Sequence, residues 1–402
     1  MLIVQKYGGS SVANAERVYN VARRIAETYK QGNDVIVVLS AQGDTTDDLI
    51  AKAKEISKNP GKREMDMLLS TGEQQSVALM ALALAELGYP AVSLNAYQVG
   101  MITTSAYGNA RLKRIRPDRI RRELDRKNIV LVTGFQGMNR FDDITTLGRG
   151  GSDTTAVAIA AALHADKCEI YTDVDGVYTA DPRIVKGAKK LDAITYDEML
   201  ELASLGARVL HNRSVELAKK YNVELVVRSS LTNAEGTVVK EVCKMEKMLI
   251  SGIAGDDEIA RVSLIGLQDT PGKAFDIFST FAKNNINVDI ILQSIGRDGT
   301  KDISFTVADT SLPEVKEVVA QNIERWGAKH VDYNEDLAKV SVVGAGMTAN
   351  AGIAAKMFEA MYSSHINIHM ISTSEIKISV LIDKKEMNKA MNAIHDMFGL
   401  ED

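Results

Sequence analysis

"TTLGRGGSDTTAVAIAAALHA", residues 145–165, sets three glycines around Arg149 and places a Ser-Asp pair in front of a long apolar run. Glycine serves where the backbone takes φ > 0 or where a ligand must approach the main chain. Ser152 to Thr155 supply N-cap residue types, so the stretch reads as a loop feeding a helix that starts near Thr154. The unpaired N–H groups and partial positive charge of such a terminus favour phosphate or carboxylate. Arg149 adds a planar, two-pronged donor for either anion. Taken alone, the loop is as well explained by an ordinary surface turn, because glycine clusters punctuate many chains.

The surroundings decide the fold class. On both sides of this loop, from residue 1 to about 240, short β-branched runs alternate with helical ones. The strand candidates are "LIVQKYG" (2–8), "DVIVVLSA" (34–41), "AVSLNA" (91–96), "NIVLVTGF" (128–135), "CEIYTDV" (168–174) and "VELVVRS" (223–229). Segments such as "NAERVYNVARRIAETYKQG" and "QQSVALMALALAELGY" carry the apolar spacing of helices. Near-continuous apolar strands separated by helices predict an α/β domain, a mostly parallel sheet with helices on both faces. Ligands of such sheets bind at the carboxyl ends of the strands. That rule gathers Lys6 to Ser11, Ser40 to Asp47, Gly134 to Gly137, the quoted loop and Thr172 to Asp181 onto one rim.

Beyond 240 an internal repeat appears. "VSLIG" (262–266) recurs as "VSVVG" (340–344), and "NINVDIILQS" (285–294) as "HINIHMISTS" (365–374), at a period of about 80 residues, which marks a duplicated module. Each copy reads strand, helix, strand, strand, helix. The first closes with a further strand near 328–334, whereas the second is one strand short of a βαββαβ unit. "KMLISGIAG" (247–255) can supply it, with the first module inserted in the second. The expected division is therefore 1–240, then 261–335 as the inserted module, and 246–257 plus 338–402 as the other.

Composition narrows the function classes. A chain of 402 residues, 45% hydrophobic and 25% charged, is long enough for two or three globular domains. No run of about 18 apolar residues predicts a membrane span. "MLIVQKYGG" has neither a basic n-region nor a cleavage site, so a cytoplasmic protein is expected. Cys168 and Cys243 stand in no C-x-x-C spacing and read as buried thiols. A net charge of −5 argues against nucleic acid as a partner. The one basic run, "RLKRIRPDRIRRELDR" (111–126), contains acids and reads as a solvated helix face rather than a polyanion site.

The first strand candidate ends in "KYGGSS", where Gly8 and Gly9 let a phosphate approach, Ser10 and Ser11 can donate to it, and Lys6 brings a point charge. It matches neither G-x-x-x-x-G-K-[ST] nor G-x-G-x-x-G. Alone it is a phosphate loop or a tight turn; beside the loop at 145–155 on one rim, phosphate is favoured.

"KYGGSS", "REMDMLLSTGEQ" (63–74), "TTLGRGGSDTTA" (145–156) and "IYTDVDGVYTADPR" (170–183), followed by paired modules, resemble the bacterial aspartate kinases of the amino-acid kinase family. The resemblance covers the whole chain. It implies transfer of the γ-phosphoryl of ATP to the side-chain carboxylate of L-aspartate, giving 4-phospho-L-aspartate and ADP, as the first step of lysine, threonine and methionine biosynthesis. It also implies two ACT-type modules through which lysine and/or threonine act. A carboxylate with a reference pKa near 3.9 needs no general base, which suits a chain whose six histidines form no site: His164 and His211 stand singly, and His365 and His369 fall in the repeat. The task is instead to bring two anions together and neutralise the transferring group.

The resemblance assigns roles on that basis. Lys6 with Gly8, Gly9 and Ser10 would hold the β and γ phosphates, and Asp153 would orient Lys6 or a metal-bound water. Arg149 suits the α-carboxylate of aspartate, with Gly150 and Ser152 beside it. Glu73 would meet the α-ammonium; its residue-level alternative is an acid at a helix N-terminus. Ser40, Thr45 and Thr46 would touch the remaining substrate. Thr172, Asp173, Tyr178, Asp181 and Arg183 would border adenine and ribose, although their Asp-Gly and Asp-Pro pairs are also plain turn signals. Arg208 in "ARVLH" stands where the family usually has a lysine, so a point contact becomes a fork. No resident metal is expected, since Mg²⁺ reaches such proteins mainly on substrate phosphates. Asp269, Gly272, Ala274 and Gln293 of the first module, and Asn367, Ser374 and Glu375 of the second, are the effector candidates; for the second set plain βα turn chemistry is the better account, since "GMTANAG" lacks the corresponding acid. A homodimer or tetramer through these modules is expected, with a short subunit starting at Met245 or Met248 as a further option. The rival readings are a glutamate or N-acetylglutamate kinase of the same fold, and a catalytically dead amino-acid sensor.

Overall fold

Apolar strands that are buried on both faces need helices above and below them. The computed structural model describes residues 1–205, 209–241, 250–294, 299–345, 347, 350 and 352–401. Arg208, Cys243, Met245 and Met248 lie outside the described residues. Eight strands form one sheet in the order Ala193–Thr195, Thr237–Lys240, Leu225–Ser229, Lys167–Thr172, Leu2–Tyr7, Asp34–Leu39, Ile129–Thr133, Ala91–Leu94. Every neighbouring pair is parallel except Thr237–Lys240 against Leu225–Ser229. Val35 to Leu39 and Ile129 to Val132 are fully buried, as their unbroken apolar sequence requires. Strands 193–195 and 237–240, at one end of the sheet, extend it beyond the sequence expectation.

Tyr7 and Tyr171 stack across neighbouring strands with ring centroids 4.5 Å apart. The helix Ala15–Lys30 presents Val18, Val21, Ala22 and Ile25 to this core, and Lys62–Glu86 presents Val77, Met80 and Leu84. A second, four-stranded sheet of Leu112–Arg114, Ile102–Thr103, Gln136–Met138 and Ile144–Thr146 was not expected from sequence. Its last strand delivers the glycine loop, so that loop follows a hairpin strand rather than a strand of the main sheet. The basic run forms the helix Asp118–Asp125, in which Glu123 takes Arg119 at 3.0 Å and Arg126 at 3.6 Å.

Two helix boundaries correct the sequence reading. The helix after the glycine loop starts at Gly151 rather than near Thr154, and its cap is Gly150, in the left-handed region at φ 68°, without a side-chain cap. The Thr154 and Thr155 hydroxyls instead donate to the carbonyls of Gly150 and Gly151 inside the first turn. Glu73 lies in the middle of Lys62–Glu86, which removes its alternative as a helix N-terminal acid.

The second compact unit holds Thr179–Lys189 and the described residues from 250 onward. Its six-stranded sheet runs Ile291–Gln293, Thr300–Ala308, Gly252–Gln268, His330–Val343, Lys377–Asp383, Met370–Thr373, all antiparallel. Ala254 to Asp256 pair with 339–341, while Ile259 to Gln268 pair with 300–308. One long strand thus serves both repeats. The repeat is visible in detail: Ser263–Ser304 and Ser341–Ser379 are hydroxyl pairs at 2.8 Å, and Gly272 (φ 92°) and Gly352 (φ 99°) cap equivalent helices. Each repeat has its own core, one around Phe281, Phe305 and Trp326, the other around Val340, Met357 and Ile394.

Candidate active site

The strands ending at Tyr7, Leu39, Thr133 and Thr172 run parallel, so the loops that leave them share one edge of the sheet. There a cavity of about 310 Å³ is lined by Lys6, Gly8, Gly9, Ser40, Thr46, Glu73, Arg149, Gly150, Ser152 and Asp153, together with Ala41, Gly43, Phe135, Gly148 and Gly151. Ten of the sequence candidates converge on it. A wider cleft of about 650 Å³ beside Arg116, Arg119, Arg122 and Arg140 has no lysine in its lining. Size alone therefore does not mark the site.

Lys6 Nζ approaches Asp153 Oδ1 at 2.7 Å, without the alignment of a hydrogen bond, and both side chains are largely withdrawn from solvent. Lys6 is the next-to-last residue of its strand, and Asp153 sits in the first turn of Gly151–Leu163. The cation therefore faces a helix N-terminus, where the partial positive charge makes a carboxylate favourable. Gly9 is obligatory: a Cβ there would stand 2.5 Å from the carbonyl oxygen of Ala41. At Gly150 a Cβ would overlap the His211 ring. Both glycines keep main-chain amides near the cavity.

Glu73 is 3% exposed. Its Oε1 accepts from the backbone N–H of Ala41 at 3.2 Å, while Oε2 is buried without a hydrogen-bond partner among the described residues. Burial pushes its carboxyl up to about 7, against smaller opposing effects of the hydrogen bonds around it. Gly72 permits this, since a Cβ there would meet the Ala41 side chain at 2.8 Å. A buried carboxylate oxygen with no donor is an unfinished site that an ammonium can complete. Arg149 is exposed at the rim and makes no ion pair with another described residue.

Other candidates stand apart from this cavity. Thr45 begins the helix Thr45–Ile56, and its hydroxyl donates to Gln42 at 2.6 Å. Ser10 is exposed, its carbonyl receiving Arg17. Thr172 and Asp173 hydrogen-bond each other at 2.8 Å, and Tyr178 donates to Asp175 at 2.7 Å. Asp181 and Arg183 pair at 2.7 Å within the segment Thr179–Lys189, which belongs to the second unit. In that unit Asp269 is held by Lys301 at 2.9 Å; Gly272, Ala274 and Gln293 are exposed, as are Asn367, Ser374 and Glu375.

Sequence reasoning missed three supports. Asp66, 1% exposed, accepts from the N–H groups of Gly108 and Thr146 at 2.9 Å each and from the Thr146 hydroxyl at 2.8 Å. It ties the start of the glycine loop to the helix that carries Glu73. His211 and Arg213 meet the same loop from its other side. Asp66 and His211 stood inside motifs read for other residues, and Arg213 stood in none of the motifs.

The comparisons agree with this geometry. Residues 1–229 match the amino acid kinase family, and residues 262–324 and 340–398 each match the ACT domain. An aspartokinase of Geobacillus stearothermophilus is 54% identical over 400 residues, spanning 99% of this chain and 97% of that one. E. coli aspartokinase III, solved in complex with aspartate and ADP (R-state), is 25% identical with a TM-score of 0.83 over 99% of both chains. The same enzyme in complex with lysine and aspartate (T-state) gives 0.77 at 25% identity, over 98% of this chain and 99% of that one. Matched by one family over more than half its length, and by a full-length relative at more than half identity, the chain belongs to the amino acid kinase family, among the aspartokinases with two C-terminal ACT domains.

Proposed function

We propose that the chain transfers the γ-phosphoryl of ATP to the side-chain carboxylate of L-aspartate, as the committed step toward lysine, threonine and methionine, under restraint by lysine and/or threonine. The observation that carries this reading is one cavity that joins a paired lysine, Lys6, to a buried carboxylate, Glu73, and a guanidinium, Arg149, where Glu73 Oε2 and Arg149 have no hydrogen-bond or ion-pair partner, respectively, among the described residues. Aspartate has complementary charges: its α-ammonium suits Glu73 Oε2, its α-carboxylate suits the Arg149 fork, and its side-chain carboxylate is left to face Lys6. An oxygen of that carboxylate forms a bond to the γ phosphorus while the bond to the β-phosphate oxygen breaks, and ADP leaves with its electron pair. No proton moves, so no base is required.

Lys6 and the amides of Gly8 and Gly9 neutralise charge on the transferring group, which is where most of the rate is to be gained. Asp153 fixes Lys6 in place. The Asp153 carboxylate would also accept from a Mg²⁺-bound water, and the ion, brought by the nucleotide, would shield the phosphate charges. Thr172, Asp173 and Tyr178 border the nucleoside in this reading.

The domain division proposed is 1–240 for catalysis, with ACT modules of 261–335 and 246–257 plus 338–402. Asp269 at the Gly272 helix cap is proposed to meet an effector ammonium, as one part of a zwitterion site with Gln293. Association of two or four chains through these modules is proposed as well. The complexes solved with lysine, aspartate and ADP for E. coli aspartokinase III support the ligand classes. The test is ADP release from Mg·ATP with L-aspartate or L-glutamate, each with and without lysine, threonine and both. Aspartate-dependent release that an effector reduces supports the proposal. Equal turnover with glutamate, or none with either, overturns it.

A further inference from the structure

Arg149 owes its place to a loop, and Arg213 of the helix Asn212–Tyr221 together with that helix's cap, His211, hold the loop at both ends. Arg213 donates through Nη1 to the Leu147 carbonyl at 2.5 Å and through Nη2 to the Ala110 carbonyl at 3.0 Å, with Asn109 Oδ1 at 3.5 Å. Ala110 N–H in turn donates to the Thr146 carbonyl at 2.8 Å. The guanidinium thus bolts two neighbouring segments together just before the glycines. At the other end, Gly150 lies at φ 68° with the His211 ring against its Cα, in the space a Cβ would fill. His211 is itself the helix cap, its Nδ1 accepting from the Arg213 backbone N–H at 3.4 Å.

Gly148 and Gly150 both take positive φ, so this loop has little conformational preference of its own. What sets the direction of Arg149 between them is the pair of anchors. Arg213 is half-buried and takes no carboxylate partner among the described residues; its donors go to backbone carbonyls. Neither His211 nor Arg213 lines the cavity.

We infer that Arg213 and His211 are positioning residues for the acceptor subsite: they fix the backbone from Leu147 to Gly150 and so aim Arg149 at the substrate carboxylate. The inference rests on the reading that Arg149 holds the α-carboxylate of aspartate. Displacement of a binding group by about 1 Å costs on the order of 100-fold in such sites. A lysine at 213 is a point donor that cannot bridge both carbonyls.

The experiment is steady-state kinetics of the full chain for Arg213→Lys, Arg213→Ala, His211→Ala and Arg149→Ala, with thermal midpoints recorded alongside. The expected result is a KM for aspartate raised at least tenfold in the Arg213 and His211 variants, with KM for ATP within twofold. Arg213→Lys keeps the buried charge and the stem, so it reads the effect even if Arg213→Ala folds poorly. A merely structural role would lower the active fraction, and hence kcat, at unchanged KM; that outcome overturns the inference, as does an equal rise in both KM values. If Arg149→Ala raises the aspartate KM while the Arg213 and His211 variants do not, the inference alone fails. If Arg149→Ala leaves the aspartate KM unchanged, the parent reading of Arg149 is what falls.

Discussion

If Glu73 holds the α-ammonium as proposed, it couples stability and aspartate affinity to pH in opposite directions. Its carboxyl is raised from 4.5 to about 7, chiefly by burial. At 1.36 kcal/mol per pH unit, the ionised form costs the folded protein about 3 kcal/mol. The sign follows from linkage: between these two values the native state holds a proton that the unfolded state has released, so stability falls as pH rises. Below 4.5 the penalty is absent, and above 7 it is complete. Glu73→Gln keeps the shape and removes the charge. From pH 5.5 to 8.5 its stability advantage over the parent, measured by urea unfolding of the ligand-free protein, should grow by about 2 kcal/mol.

Affinity runs the other way. An ammonium needs the ionised carboxylate, which the free protein holds only above about pH 7. The calorimetric Kd for aspartate should therefore weaken about 20- to 30-fold between pH 7.5 and 5.5, with a proton released on binding at the lower pH. In Glu73→Gln the affinity should be at least tenfold poorer at pH 7.5, as expected for a lost charged hydrogen bond, and almost flat with pH. His211, whose pKa is lowered mainly by burial, packs on Gly150 of the same cavity and is unchanged in this variant. A steep pH profile surviving in Glu73→Gln would refute the assignment of the ammonium to Glu73.

Two further outcomes are expected. Gly9→Ala drives a Cβ against the Ala41 carbonyl, so the phosphate cradle must shift; KM for ATP should rise tenfold or more while aspartate affinity by calorimetry stays within twofold, and an unchanged KM for ATP would remove Gly9 from the cradle. Asp269→Asn removes the acid at the Gly272 cap and frees Lys301; the effector concentration for half-inhibition should rise about tenfold with basal kcat unchanged, and unaltered inhibition curves would place the effector elsewhere.

Local chemistry made part of this legible from sequence. Lys6, at the end of its strand, and Asp153, at the start of its helix, flank glycine-rich loops as Arg149 lies within one, and there composition and topology point the same way. The ACT repeats were visible because equivalent residues keep equivalent tasks, down to the paired serines of each sheet. Glu73 was different: an acid in mid-helix has no local signature, and its importance comes from Ala41 and the empty side of its carboxylate, which only the folded chain brings together. His211 looked solitary because the glycine it packs on lies some sixty positions earlier. The small sheet between Ile102 and Thr146 escaped notice because strands of two or three residues are too short to show a period of two. The helix start at Gly151 was misplaced because Ser152 and Thr154 resemble caps, whereas a left-handed glycine does the capping.

The central claim is that phosphorus ends on the side-chain carboxylate of aspartate, and an acyl phosphate betrays itself to hydroxylamine. Incubation of the full chain with Mg·ATP, L-aspartate and hydroxylamine, followed by mass spectrometry of the hydroxamate, tests that bond directly. Aspartate 4-hydroxamate is expected in step with ADP, absent without ATP and lost in Lys6→Met. ADP formation with no hydroxamate, or the same yield of hydroxamate from glutamate, would contradict that claim.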